Sequence, residues 1–341
     1  MKKLSFFNKI IYALNIFFAI LLLGSYLLPF LFPKSFPSLS VLSLTVPVLI
    51  IFNMVFTLYW LLLFKRKVFL SFTVLLIGFP YLTDFYGFSG SDKPIKEATF
   101  SVMSYNVRIF NKYNWLPVKD IDQKIVHFIE KEQPDILCIQ EFLHEKEDLF
   151  KIYPHRYIRY KTKSQQTGQA IFSKFPISSK GSLEFPDTGN NAIFADIVKG
   201  KDTVRVYNLH LESLRINTSE EVTQEKSEKL FKRMGVSFGL QQAQAEIFNG
   251  HRNRCKLYKI VCGDFNNTQF SNIYRQVKGE MTDTFKAAGS GFGRTFNFKY
   301  FPVRIDFILV DKVIEVNRHR NYAVEFSDHY PVASYLTLPD K

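Results

Sequence analysis

The amino-terminal part of the chain is dominated by apolar residues, which form three stretches at residues 6–32, 41–64 and 68–88. A helix needs roughly 20 apolar residues to cross a hydrocarbon core of about 30 Å, and each stretch reaches that length. The alternative is a cleaved signal peptide followed by core helices, but its apolar region would have only about 7–15 residues. The pattern therefore predicts a membrane anchor of about three transmembrane helices within residues 1–90.

The pattern changes after this anchor. Residues 91–97 contain Asp92 and Pro94 and are typical of a short linker. From residue 98 to residue 341, short apolar runs alternate with amphipathic segments, which indicates two sheets packed face to face with helices outside them. Strands are predicted at 99–107, 135–140, 169–173, 192–198, 204–209, 259–262, 304–310 and 332–336, and helices at 121–131, 240–251 and 269–277.

One segment of this second part, residues 215–232, is polar, charged and helix-prone. It is interpreted either as a surface insertion that borders a functional site or as a solvated loop without a role.

The three cysteines, Cys138, Cys255 and Cys262, are too few for a disulfide framework. Cys138 and Cys262 lie in apolar runs and are expected to be small core residues.

Charge separates the same two parts. Before residue 91 there are seven basic residues and one acid, Asp84, within a net charge of +13 for the whole chain. Basic residues flank the first stretch at its amino terminus and recur at 65–67, whereas only Lys34 lies between the first two stretches. Because basic flanks resist translocation, three spans would place the domain after residue 90 on the extracytoplasmic side. If one stretch does not span, the side reverses.

The excess of positive charge after residue 90 favours an anionic partner, either nucleic acid, a phosphorylated metabolite or acidic lipid headgroups.

Within this part, polar residues recur where apolar strands end. Buried carboxylates are costly unless they are paired or bind a metal. Singly each residue has a structural alternative, such as a turn for Asn106 or a strand cap for Glu141. The residues are Asn106, Glu141, His210, Asp264, Asn266, Asp306, Asp328 and His329.

The order of the motifs around these residues resembles the endonuclease/exonuclease/phosphatase superfamily over essentially everything after residue 98. The motifs are Ser104-Tyr105-Asn106-Val107-Arg108, Gln140-Glu141, Gly168-Gln169-Ala170-Ile171-Phe172-Ser173-Lys174, Asn208-Leu209-His210-Leu211-Glu212, Gly263-Asp264-Phe265-Asn266, Arg304-Ile305-Asp306-Phe307 and Ser327-Asp328-His329-Tyr330-Pro331. The resemblance implies an α/β fold, a four-layered sandwich of two mainly antiparallel sheets flanked by helices. It also implies a divalent metal, Mg²⁺ or alternatively Mn²⁺, at one end of the sheets.

The resemblance assigns a role to each matching residue. Glu141 is expected to be the principal metal-binding carboxylate, completed by Asn106 and Asp328, since oxygen ligands suit Mg²⁺. Asp264 is expected to activate the attacking water, and Asn266 to orient it or to contact the phosphate.

Two histidines are expected to stabilise the phosphoryl oxygens, His329 held by Asp306, and His210 from the other side. Arg108 stands where the abasic-site nuclease branch has an acid. The sequence is therefore closer to the deoxyribonuclease I and sphingomyelinase branches, and Arg108 is expected to contact substrate phosphate. Residues 292–296, with Thr295, resemble the loop that borders the substrate, although a plain glycine-rich hairpin fits as well.

The sequence therefore predicts a membrane-anchored, Mg²⁺-dependent hydrolase of phosphodiesters, with lipid headgroups among the candidates, or of phosphomonoesters. The alternative is a tethered nuclease that acts on extracytoplasmic nucleic acid. A catalytically silent binding module is disfavoured because every catalytic position is filled. A transporter is disfavoured because the spans lack charged residues apart from Asp84 near an end. The expected partners are the lipid bilayer and the phosphate-ester substrate, and no obligate protein partner is inferred.

Overall fold

The structure, a computed structural model, describes residues 5–88, 90, 93–95, 97–160, 166–215 and 224–339. The predicted 215–232 insertion therefore lies partly outside the described residues. The α-helices are α1 Phe6–Ser25, α2 Pro37–Val41, α3 Val46–Leu62, α4 Val68–Ile77, α5 Phe79–Phe85, α6 Ile121–Glu132, α7 Gln224–Arg252, α8 Asn272–Lys278 and α9 Thr284–Ala288. The strands are β1 Phe100–Asn106, β2 Ile136–Leu143, β3 His155–Tyr160, β4 Thr167–Ser173, β5 Ile177–Glu184, β6 Asn191–Lys199, β7 Asp202–His210, β8 Tyr258–Asp264, β9 Thr282–Asp283, β10 Asp306–Val310, β11 Glu315–Asn321 and β12 Val332–Thr337.

The strands form two six-stranded sheets, ordered β11-β12-β1-β2-β4-β3 and β5-β6-β7-β8-β10-β9. Each sheet has one central parallel pair, β1 with β2 and β7 with β8, and its other neighbouring strands are antiparallel. A parallel pair needs a long crossover, which is supplied by α6 in the first sheet and by α7 in the second. The two sheets therefore repeat one arrangement, a helix-linked parallel pair flanked by antiparallel strands.

Apolar side chains fill three interfaces. Val102 and Cys262 belong to the core between the sheets. Tyr105 and Ile125 pack where α6 covers the first sheet, and Phe248 of α7 packs on the second sheet. Because both faces of each sheet are covered, the central strands β1 and β10 are buried at every position. The predicted four-layered α/β sandwich is thereby confirmed.

Most of the predicted central elements are present with bounds within a few residues of those expected. The strands that the sequence did not reveal are β3, β5, β9 and β11, and these are the four edge strands of the two sheets. Their partly exposed residues alternate irregularly, for example in β5 and β3. The helix predicted at 240–251 begins earlier, since α7 starts at Gln224.

A buried amide joins the two sheets. Asn208 of β7 is fully buried and donates from Nδ2 to the carbonyl oxygens of Ile139 at 2.9 Å and Ala170 at 3.1 Å, both in the other sheet. Its Oδ1 accepts from Gln140 Nε2 at 2.6 Å. These three bonds fix the spacing of β2, β4 and β7 directly beneath the edge where the candidate site lies.

The anchor contains two helical segments long and apolar enough to cross a membrane, Phe6–Phe30 and Pro37–Leu62. The third predicted span is a bent pair, because α4 and α5 meet at an angle of 76°. At 1.5 Å per residue, the ten residues of α4 extend only about 15 Å. Large apolar side chains are widely exposed in this region, including Phe17, Leu58 and Leu76, as expected for helices that face lipid rather than water.

Polar side chains tie the anchor helices together internally. Asn15 of α1, Asn53 of α3 and Ser71 of α4 are fully buried and share hydrogen bonds. Trp60 Nε1 donates to Asn15 Oδ1 at 2.9 Å. In an apolar medium such groups need protein partners, so this network locks α4 against the two longer helices.

The anchor contacts the α/β sandwich at one end of its helices. Between α1 and α2, Lys34 pairs with Glu246 at 2.5 Å. Asn272 Nδ2 donates to the carbonyl oxygen of Pro29 at 2.8 Å. Lys67 lies at the opposite end, where its Nζ is 3.9 Å from the ring centroid of Tyr12. The bundle therefore has the basic residues 65–67 at the end remote from the domain, whereas Lys34 and Asp84 form ion pairs with the domain at the docked end.

We expect Asn208→Leu to lower the free energy of unfolding by about 2–4 kcal/mol, because it removes three buried hydrogen bonds that link the two sheets. Thermal unfolding of the full chain in detergent measures this change. Asn253→Leu, at an exposed position near the end of α7, is the matched control and should have little effect. Equal stability of the two variants would contradict a cross-sheet role for Asn208.

Candidate active site

The candidate site lies where the carboxyl ends of the two parallel strand pairs meet. In the first sheet Asn106 ends β1 beside Gln140 of β2, and in the second sheet His210 ends β7 beside Asp264 of β8. Asn106 Nδ2 lies 3.0 Å from Asp264 Oδ2, which places the two strand ends in contact across the sandwich. The site is thus built at the edge of a rigid scaffold, where loops can display reactive groups.

Glu141 is brought to this edge by an irregularity in β2. The pairing of β2 with β4 shifts register between Ile139 and Phe142, and Glu141 has a left-handed backbone with φ of 53°. A bulge of this kind turns a side chain away from the strict alternation of a strand, and a left-handed conformation is unfavourable for a residue other than glycine. Burial raises the pKa of the Glu141 carboxyl.

Asn106 bridges the acids of the two sheets. Its Nδ2 donates to Asp264 and also to Glu141 Oε1 at 3.3 Å, while its Oδ1 accepts from the backbone N of Arg108 at 3.0 Å. Asn106 therefore connects the two acids in this structure, and its predicted role as a metal ligand stays a prediction.

Asp264 is the most deeply buried acid of the site, with a relative exposure of 1%. Its Oδ1 accepts from the backbone N of Asn266 at 2.7 Å. Burial raises the pKa of Asp264 to about 6, with the Asp306 charge adding to the rise and the His329 and His210 charges opposing it. Gly263 precedes it with φ of 141°, and a Cβ there would lie 1.9 Å from the carbonyl oxygen of Leu209, so only glycine allows this approach.

His329 and Asp306 form a buried pair. His329 Nδ1 lies 3.0 Å from Asp306 Oδ2, and its Nε2 faces Asp264 Oδ2 at 3.7 Å. Burial opposes the charge on His329, but the carboxylates of Asp306 and Asp264 outweigh it and raise its pKa well above the ordinary value. The second nitrogen of a charged imidazole is thereby aimed at the centre of the site.

His210 approaches from the second sheet. Its Nε2 is 3.7 Å from Asp264 Oδ2 and 3.9 Å from Glu141 Oε1. Burial lowers the pKa of His210, and the neighbouring Asp264 charge only partly offsets this effect. The two histidines are therefore electrostatically different, with His210 favouring its neutral form and His329 its charged form.

Arg108 and Asp328 close the remaining side. Arg108 Nη1 pairs with Asp328 Oδ2 at 3.1 Å, and the guanidinium lies 4.5 Å from the ring centroid of Trp115. Ser327 Oγ donates to the carbonyl oxygen of Asn106 at 2.8 Å, which fixes the loop before β12 against the end of β1. Both charged groups remain partly exposed and face the cleft above Asp264.

The structure thus brings together eight of the residues predicted from the strand ends, and Arg108 with them. Thr295 is different, because it is fully buried and its hydroxyl accepts from the backbone N of Ile305 and Asp306 at 2.9 and 3.0 Å. The expectation that Thr295 contacts substrate is corrected accordingly. Thr295 holds the start of β10, and so positions Asp306.

Gln241 of α7 supports the site without having been predicted. It is fully buried, and its Nε2 donates to the carbonyl oxygens of Glu212 at 2.7 Å and Asn266 at 3.2 Å. Its Oε1 accepts from Asn267 Nδ2 at 2.7 Å. A glutamine in a helical segment gives no sequence signal of this role, which depends on where α7 packs.

Two groups of side chains could hold a cation. Among the described residues, Asp264, Asp306 and His329 offer ligand atoms that all lie within 4.8 Å of one another. The hydrogen bond between Asp306 and His329 already accounts for that proximity. Glu141 fits a cation better, since it is partly exposed to the cleft and its described hydrogen-bond partner is Asn106 at 3.3 Å.

A four-layered sandwich with these acids and histidines at one edge is the arrangement of a phosphoesterase fold. The sequence model described as Endonuclease/Exonuclease/phosphatase family matches residues 103–329, well over half of the chain, and the chain belongs to that family. A second model, described as a domain of unknown function (DUF8431), matches residues 8–85 of the anchor. No curated protein sequence matches the chain.

Several solved structures share the fold. The endonuclease/exonuclease/phosphatase from Bacteroides vulgatus is 19% identical, with a TM-score of 0.56 over 71% of this chain and 100% of that one. The Bacteroides thetaiotaomicron mannosyl-6-phosphatase is 18% identical, with a TM-score of 0.53 over 70% and 100%. D. rerio TDP2, complexed with a single strand DNA product, is 15% identical, with a TM-score of 0.53 over 71% and 100%. At these identities the likeness concerns the fold.

We expect Asp306→Asn to lower the pKa of His329, because the variant removes the carboxylate that most favours the charged imidazole. Titration of ¹⁵N-histidine-labelled full chain in chelator, followed by NMR, measures this directly. In the wild type, the stability that the raised pKa contributes is present below the unfolded value of about 6.5 and is lost as pH rises through the folded pKa. The exposed His127 of α6 serves as an internal reference in the spectra. An unchanged His329 titration in the variant would contradict the pairing of His329 with Asp306.

Proposed function

We propose that this chain is a membrane-anchored, Mg²⁺-dependent phosphoesterase that hydrolyses phosphodiester or phosphomonoester bonds by attack of water. The observation that carries the proposal is the convergence of Asp264, Glu141 and the His329–Asp306 pair at one edge of the sandwich. These groups are distant in sequence and come together in a single cleft. Buried acids beside a charged imidazole are costly to fold and are typical of catalytic centres.

Asp264 is suited to accept a proton from the attacking water. Its pKa of about 6 makes it ionised yet still basic near neutral pH, as general-base catalysis requires. Asn266, whose backbone N binds Asp264 Oδ1, lies in the same turn and can orient that water. Both residues line the cleft, so a water molecule can reach them together with a substrate.

His329 is suited to stabilise the negative charge that develops on the phosphoryl oxygens. The Asp306 partner holds its ring through Nδ1, leaving Nε2 as the donor toward the cleft. His210 presents a second donor from the opposite wall, and Arg108 is placed to contact a phosphate oxygen at the mouth of the cleft. Fixed donors of this kind act without reorganisation as the charge forms.

Glu141 is the residue best placed to hold Mg²⁺, with Asp328, whose charge acts on the Glu141 carboxyl, as a second acid. A bound divalent cation would neutralise a phosphate oxygen and make the phosphorus more electrophilic. Hard oxygen donors at this position also suit Mn²⁺. Asn106 would position Glu141 and Asp264 through its Nδ2.

The orientation that we propose places the domain outside the cytoplasm, on an integral membrane anchor. The basic residues 65–67 lie at the end of the bundle remote from the domain, which is the end expected to stay in the cytoplasm. The chain passes from that end to the domain through α4 and α5 together, so the bent pair would complete the third crossing.

We expect Asp264→Asn to reduce kcat/KM for an aryl phosphodiester by about 10²–10⁴-fold, since the variant lacks the general base. Glu141→Gln should lower activity and raise the Mg²⁺ concentration needed for half-maximal rate. Glu280→Gln is the control, because that side chain is 91% exposed and pairs only with Lys312 among the contacts described. Equal turnover by wild type and Asp264→Asn, or full activity in chelator, would remove the mechanism.

Reporter fusions test the orientation separately. Alkaline phosphatase fused after Gly90 should be active and a fluorescent protein fused there should be dark, while fusions after Arg66 should give the reverse. This pattern is expected because basic residues at 65–67 remain in the cytoplasm and the bent pair crosses once more. Reversed signals after Gly90 would mean that the domain is cytoplasmic.

A further inference from the structure

Two clefts of different chemistry meet at the reaction centre, and Glu141 lines both of them. One, of about 550 Å³, is mostly polar and is bordered by Lys112, Asn190, Asn191 and His210. The other, of about 520 Å³, contains Asp264 and His329 at its base but is mostly apolar above them. A phosphate held at the centre would therefore have a polar surface on one side and an apolar surface on the other.

The apolar cleft is built from both parts of the chain. The loop before β10 contributes Phe298 and Phe301, and α7 contributes Leu230 and Met234. The anchor contributes Leu44, which lies in the short 3₁₀ turn that leads into α3. The wall of the catalytic cleft is thus completed by a residue that begins a membrane-spanning segment.

Leu44 is fixed in this position rather than loosely apposed. Val41, Leu214 and Phe238 are buried together, and Leu44 and Met234 pack against the same cluster. Lys34 N donates to Gln242 Oε1 at 2.9 Å one turn of α7 further along. The contact between anchor and domain therefore shapes the cleft as well as holding the domain at the bilayer.

Exposed aromatic residues surround the entrance on the domain. Tyr300 beside Phe298 is 71% exposed, and Trp115 at the edge of the cleft is 44% exposed. Large amphipathic rings of this kind are favoured at the level of lipid headgroups. Together with Leu44 they indicate that the apolar cleft opens at the membrane surface.

On the basis of the proposed phosphoesterase activity, we infer that the anchor completes the substrate site, and that the substrate is a phosphodiester joining an apolar lipid moiety to a polar headgroup. The lipid moiety lies in the apolar cleft between Leu44, Met234 and the Phe298 loop. The headgroup lies in the polar cleft beside Asn190 and Lys112. Water adds to phosphorus, one phosphate-ester bond breaks, and the leaving alkoxide takes up a proton.

A nucleic acid fits this arrangement less well. Its flanking phosphates would share the cleft with Leu44, Phe298 and Met234, which offer no donors, and Arg108 and Arg215 are the cationic residues among the lining described. An alkyl chain in the same space removes apolar surface from water and gains affinity with each methylene. The two substrates can be separated experimentally.

The test uses the full chain in amphipol, without added lipid, and a series of alkyl p-nitrophenyl phosphates from methyl to octyl, which share one leaving group. For the wild type we expect kcat/KM for the octyl ester to exceed that for the methyl ester by at least tenfold. Leu44→Asn and Met234→Gln should each reduce this octyl-to-methyl ratio toward one. Leu44→Met should restore it, and Leu42→Asn, on the same turn but outside the cleft, is the matched control.

The outcomes distinguish the two levels of the proposal. Turnover of both esters with a ratio near one in the wild type would overturn the lipid assignment while leaving the phosphoesterase standing. A ratio unaffected by Leu44→Asn and Met234→Gln would overturn the role of the anchor. Faster turnover of a single-stranded oligonucleotide than of the octyl ester would favour a nuclease and overturn the inference. Absence of turnover of every phosphate ester would remove the proposed function itself.

Discussion

The hydrogen bonds that Asn106 makes to Asp264 and Glu141 are the interaction on which the site depends, because they join strand ends from both sheets. Without them, the carboxylates of Asp264 and Glu141 would face each other at the edge of the sandwich, and less of their electrostatic repulsion would be offset. Asn208 performs the corresponding task one layer deeper, where it fixes the spacing of the sheets. The catalytic geometry is therefore a property of how the two sheets are held together.

Stability and function make opposite demands at this edge. Glu141, Arg108 and Asn266 all have left-handed backbones, and Asp264 is almost fully buried. Each of these features is unfavourable for folding alone and is retained because the surrounding sheets fix it. The proposed cation would relieve part of the cost, since its positive charge would stabilise the Glu141 carboxylate, whose pKa is raised by burial.

The anchor belongs to the same physical unit as the catalytic domain. Its helices are tied internally by Asn15, Asn53 and Ser71, and the end that carries Lys34 docks on α7 and α8. That docking brings Leu44 into the wall of the catalytic cleft. A tether that merely held the domain near a bilayer would not need to contribute to the site, so the contact would link the proposed membrane anchoring to the proposed choice of substrate.

The amino-acid sequence by itself determined the two parts of the chain, the central strands and the residues at their ends. These features are local, since an apolar run followed by Asn106, Glu141 or Asp264 can be recognised without knowing its neighbours. The edge strands β3 and β5 were not predicted because they are half exposed and lack a clear alternation of buried and exposed residues. Only the tertiary structure decided that Thr295 is a support and that Gln241 and Leu44 belong to the site, because their roles come from contacts between segments that packing alone brings together.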